Sequence, residues 1–126
     1  MLLKAPGALL SIAAIAHGWT FTTYVGGGCI PIFPSSSCHQ NGDRDICCKG
    51  QSSGDIFGSA RLTGSGWSVY AFNSSSCSGN LDDAATSWSD EDCHAVSSND
   101  YKTFGIVRSD SVANTNSNQT IEWVNA

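Results

Sequence analysis

The stretch "GSARLTGSGWSVYAFNSSSCSGN", residues 58–80, decides how this chain folds. Two apolar runs, "IFGSARL" at 56–62 and "WSVYAF" at 67–72, flank the glycine-bearing turn "TGSG" at 63–66. Both runs are short, contain aromatic and branched residues, and are bounded by turn formers, so they read as strands. Gly64 and Gly66 allow the positive φ of a tight turn, which predicts a hairpin between them. The same strand signature appears in "WTFTTYV" at 19–25, "TFGIV" at 103–107 and "IEWV" at 121–124. Ser, Gly, Thr and Asn punctuate the chain every few residues, and several short strands at such spacing predict an all-β sandwich or barrel.

An internal repeat organises these strands. "GWTFTTYVGGGC" begins at Gly18 and "GWSVYAFNSSSC" at Gly66; in both, tryptophan precedes cysteine by ten residues across an apolar strand and three small residues. Each half then carries another cysteine, a polar loop, an aspartate (Asp55 or Asp100) and a strand containing Phe-Gly, "DIFGSARL" or "DYKTFGIV". The ordered set of matches predicts a duplicated unit of about 45 residues.

Composition bounds the setting. Residues 1–16 hold one early cation, Lys4, an apolar run at 8–16 broken only by Ser11, and the small-x-small end "AIA", the form of a secretory signal peptide. The run is shorter than the roughly 20 residues that span a bilayer, so stable membrane insertion is not expected. All six cysteines (Cys29, Cys38, Cys47, Cys48, Cys77, Cys93) lie beyond it, and an even set in a small secreted chain reads as three disulfides. Zinc is disfavoured, because no Cys-x-x-Cys pair occurs and adjacent Cys47 and Cys48 are poor chelators. Without the leader, 5 Lys and Arg face 11 Asp and Glu, a net charge of −6 that argues against nucleic-acid binding. The acidic clusters at 82–83 and 90–92 read as solvated loop charges.

The junction "GSARLTGSGWSVY" resembles the βγ-crystallin Greek key, in which one motif ends S-x-R-V and, after a glycine turn, the next begins W-x-x-Y. Ser59, Arg61, Leu62, Trp67 and Tyr70 carry that likeness, and "TFGIVRSD" is similar to the matching end of a second motif. The resemblance implies a disulfide-stabilised β-sandwich of two Greek keys, at about 18–63 and 66–109. The domain would then span 17–110, followed by a polar linker and C-terminal strand at 111–126. Its cysteine content is similar to that of small secreted fungal proteins of the effector and killer-toxin kind. That likeness implies a monomeric, non-enzymatic protein directed at an extracellular protein or glycan of a host or competing cell. The duplication adds a disulfide map with one bridge per motif, Cys77–Cys93 and Cys29–Cys48, leaving Cys38–Cys47, out of fifteen pairings six cysteines allow.

The resemblance also implies a site for weakly bound calcium, whose family motif is two Asn/Asp, two variable residues, then Ser/Thr and Ser. "NDYKTF" at 99–104 matches it in Asn99, Asp100 and Thr103, and "GDIFGS" at 54–59 in Asp55 and Ser59. Backbone carbonyls and water would have to complete the six to eight oxygens calcium takes; the plainer reading makes Asn99 and Asp100 turn formers. Cleavage after Ala16 would leave His17 as the N-terminus, able to brace copper with His39 or His94, or else an incidental terminal residue. A calcium-binding crystallin-like structural module is thus one alternative function and a small copper-dependent or hydrolytic enzyme another, although no opposed carboxylate pair or nucleophile elbow is present. Asn73 and Asn118 stand in glycosylation sequons. Trp19 and Trp67 are expected in the core. Trp88, within the polar run "ATSWSDED", is expected to be exposed and able to anchor a partner. Function is therefore sought in the loops at 82–92 and 99–103.

Overall fold

A computed structural model describes residues 18–32, 34–40, 45–49, 56–110 and 120–125. Residues 1–16, expected to be a signal peptide, His17, Asp55 and Asn118 lie outside the described residues. Among the described residues eight strands form: β1 (Trp19–Tyr24), β2 (Pro34–Gln40), β3 (Ile46–Lys49), β4 (Ser59–Thr63), β5 (Trp67–Phe72), β6 (Thr86–Trp88), β7 (Thr103–Arg108) and β8 (Val124–Asn125), with a 3-10 turn at Leu81–Asp83. They make two sheets, one ordered β2-β1-β4 and the other β6-β5-β7-β3-β8. The fold is all-β, as expected.

The sheets pack through alternating side chains, since successive residues of a strand point to opposite faces. Trp19 and Phe21 from β1 meet Trp67, Trp88 and Phe104 of the larger sheet, with ring centroids at 6.1, 6.5 and 4.7 Å. Leu62, Val69, Ile46 and Ile106 complete this buried cluster.

The predicted hairpin at 63–66 is a different structure. β4 pairs with β1, whereas β5 pairs with β6 and β7, so the turn carries the chain from one sheet to the other. Gly64 and Gly66 do adopt positive φ there. A change of sheet needs the same permissive residues as a hairpin, but it lets Trp67 close on Trp19 instead of pairing β5 with β4.

The two halves use one pairing scheme. β1 lies between β2 and β4 as β5 lies between β6 and β7. Tyr24 stands opposite Ser59, and Phe72 opposite Thr103. The next segment of each half crosses over: β3 pairs with β7, while His94, beyond β6, bridges to Ala60 of β4 with both amide bonds at 2.9 Å.

All six cysteines are bridged, in an oxidising arrangement, but as Cys29–Cys93, Cys38–Cys48 and Cys47–Cys77. None of the three expected pairs forms. The crossing segments explain the difference, because each carries a cysteine (Cys47 or Cys93) to the sheet holding the other half's loop cysteine (Cys77 or Cys29). The run at 121–124 pairs only at its end, where Val124 and Asn125 add in parallel to β3.

Candidate functional site

The loop after β1 projects an uncharged apolar tip. The chain carries no Asp, Glu, Lys or Arg between residues 5 and 42. Val25 and Ile30 are each 46% exposed, Ile32 76%, and Ile56 on the neighbouring segment 67%. That segment runs beside the loop, with the Gly58 amide donating to the Tyr24 carbonyl at 2.9 Å.

This tip is braced from within. The fully buried Ser59 hydroxyl donates to the Gly26 carbonyl at 2.7 Å and accepts from the Cys29 amide at 2.9 Å, spanning the turn. Cys29 sits at φ 52°, a left-handed conformation uncommon outside glycine, and its bridge to Cys93 holds it in place. The fold therefore holds Ile30 and Ile32 in water on a crosslinked loop. The signal for it in the sequence is the charge-free run "VGGGCIPI", which reads superficially as a plain turn.

The loop expected to carry a partner anchor behaves otherwise. Trp88 is only 7% exposed, correcting the expectation that it stands in solvent. As the last residue of β6 it points inward, lies near Phe21 and stacks on the His94 ring at 4.3 Å. His94 Nε2 in turn lies 2.7 Å from Asp90 Oδ1, and Asp90 also accepts from the Asp92 amide at 3.0 Å. The hydrogen bond from His94, then that amide, holds the Asp90 carboxyl below its ordinary range. Glu91 accepts from the Gly64 amide, tying this loop to the turn between β4 and β5.

Of the expected calcium residues Asp55 is not described, and the two candidate segments meet where Ser98 donates its amide to the Phe57 carbonyl and accepts from the Phe57 amide. Asn99 and Asp100 are exposed in a turn whose amides bond to Ser97. Thr103 is fully buried and donates to the Ser74 carbonyl at 3.1 Å, as Ser59 does to Gly26. No group of three or more His, Cys, Asp or Glu side chains converges among the described residues. Of the two histidines proposed to join His17 on copper, His94 already has Nε2 on Asp90, and His39 lies in β2 opposite Thr20. Asn73, the described sequon residue, is exposed in the turn after β5. In β5, burial and then Asp82 push the Tyr70 phenol above its ordinary range.

The described surface thus offers an exposed aliphatic tip on a scaffold in which the Ser59 and Thr103 hydroxyls, the His94 ring and all six cysteines are engaged in structure. No helix among the described residues is long and apolar enough to cross a membrane. Comparison with family models, with characterised proteins and with solved structures found no match.

Proposed function

We propose that this chain is a secreted, non-enzymatic binding protein, effector-like or toxin-like, that engages a host or competing cell through its apolar tip. The observation that carries the reading is the tip itself, exposed Val25, Ile30 and Ile32 on a loop braced by the Ser59 hydroxyl and the Cys29–Cys93 bridge, with exposed Ile56 on the neighbouring segment. Leaving an aliphatic side chain in water forgoes about 1.5–3 kcal/mol of burial, which contact with a partner recovers. Clustered apolar exposure on an ordered surface marks such contacts. The bracing matters too, because a preordered loop loses little entropy on binding.

Secretion is supported by the leader-like residues 1–16 and by the three bridges. A βγ-crystallin-like pair of Greek keys is supported by the exchanged third segments and by the matching hydroxyl bonds of Ser59 and Thr103. The setting implied by the cysteine content, similar to that of small secreted fungal proteins, is a fungal small cysteine-rich protein. Its target is an extracellular protein or glycan with an apolar surface, and no nucleic acid, given the net charge of −6 beyond the leader.

The test is to apply the purified protein to living plant tissue and to fungal cultures, reading surface retention, cell death and growth. The proposal expects retention and a response in one of them. A protein inert and unretained toward both contradicts it.

A further inference from the structure

The larger sheet has a second apolar face, and a short peptide lies against it. Phe72, Val107 and Cys47 alternate with core residues and so point away from the core, yet all three are buried. The segment at 120–125 runs along this face as a strap, its Trp123 against Phe72 and Gly105 and its end paired beside β3. Its Ile121 amide donates to the Gly79 carbonyl at 2.7 Å, its Trp123 Nε1 to the Ser78 carbonyl at 2.7 Å, and its Val124 amide to the Asp45 carbonyl at 2.8 Å. The Trp123 ring meets Phe72 edge-on at 6.3 Å and occupies the space above Gly105, where a Cβ would come within 2.3 Å of it. A Cβ at Gly79 would likewise meet Thr120 at 2.6 Å. Two glycines thus form a cradle fitted to this peptide.

The attachment asks little of its occupant. Every acceptor is a backbone carbonyl, the added strand pairs in parallel at the edge of β3, and none of the three disulfides ties the strap down. An extended segment with a tryptophan at the right position satisfies it, as in recognition by strand addition. Every copy of this chain carries one such segment, joined to β7 through residues 109–119. With Ser109 bonded to Gly66 and Ser68, the nine residues 111–119 can reach at most about 30–32 Å, enough to cross to a second molecule as well as to fold back on the first.

We propose that the Gly105–Gly79 cradle is a receptor groove for the C-terminal segment of a second copy, so that the protein dimerises by exchanging its straps. In an isolated chain its own strap fills the groove at a local concentration in the millimolar range, so exchange grows with protein concentration. The groove lies on the larger sheet and is separate from the tip, so this inference stands apart from the target of the tip.

The experiment separates groove from strap in full-length chains. Gly105→Val blocks the groove and leaves the strap free; Trp123→Ala leaves the groove open with a disabled strap. Each alone is expected to sediment as a monomer at about 0.1 mM, while an isotope-labelled mixture gives heterodimers at least tenfold above either. A mixture that stays monomeric, with both chains natively bridged, overturns the proposal. If the Gly105→Val chain does not fold, Trp123→Ala protein titrated with a labelled peptide of residues 118–126 reads the same groove. Saturable binding, lost when the peptide's tryptophan is alanine, upholds it, and no binding overturns it. Cross-linking of mixed light and heavy wild-type chains at millimolar concentration needs no variant at all. Strap cross-links joining light to heavy chains are expected, and strap cross-links confined to single chains refute exchange.

Discussion

The two sheets follow one pairing scheme and close themselves in different ways. The smaller sheet turns Thr20, Thr22 and Thr63 toward solvent, with a Thr22–Ser37 hydroxyl bond at 3.1 Å on its surface. The larger sheet covers the part of the corresponding face at Phe72 and Gly105 with the strap's Trp123. Arg61 stands opposite Thr22 as Gly105 stands opposite Tyr70, so a long side chain covers one sheet where a bare backbone admits Trp123 to the other. The seams differ as well. Cys38, opposite Phe21, is bridged to Cys48, opposite Phe104; in matching places Trp88, opposite Val69, stacks on His94, opposite Ala60. One seam is covalent and the other is an aromatic stack. The lesson is that backbone pairing sets the frame while single side chains decide which surface is left for partners.

Breaking each seam measures that difference. Trp88→Ala removes a buried indole and should cost about 3–5 kcal/mol, read by denaturant unfolding. Replacing Cys38 and Cys48 together by alanine should cost about 3 kcal/mol from the released loop of ten residues. The two losses should not simply add, since Phe21 lies against Trp88 and opposite Cys38 and so couples the seams. Trp123→Ala uncovers half-buried surface and should cost about 1–3 kcal/mol, with the near-ultraviolet signal of the core retained.

Smaller effects sharpen the stack. Because Asp90 is held below its ordinary range when folded, its contribution is fully present above the unfolded value of about 3.9 and is lost as pH falls through the lower folded value. Asp90→Asn should therefore flatten the acid limb of the stability profile, and an unchanged limb would remove the His94–Asp90 bond from the account. Calcium titration followed by thermal melting should leave the midpoint where it is, since the Ser59 and Thr103 hydroxyls donate to backbone carbonyls. A rise abolished by Asp100→Ala would restore the calcium reading.

Much of the frame is legible before any coordinates. β1, β5 and β7 announce themselves because aromatic and branched residues fill both their faces. β2 escapes notice: "PSSSCHQ" is a polar edge strand with an inward Cys38, and "ICCK" of β3 is too short to show a period. The repeat correctly equates Cys29 with Cys77, each five residues past a strand, but composition cannot reveal that the next segments trade sheets, and every bridge depends on that exchange. Trp88 misleads for a local reason. Its neighbours are serine and acid, which argue for solvent, while the twofold alternation of a three-residue strand turns it inward. The tip hides in plain sight, since glycine and proline mark "VGGGCIPI" as a turn without saying that its isoleucines face water.

The most direct test of the central claim is a paired measurement on Ile30→Asp/Ile32→Asp protein. Both side chains are exposed, so the melting midpoint and the three bridges should match the wild type, as exposed substitutions usually shift stability by less than about 0.5 kcal/mol. Retention on target cells should fall by tenfold or more, the loss of at least about 1.4 kcal/mol of contact. A variant that keeps both its stability and its cell binding would contradict the assignment of the tip as the binding surface.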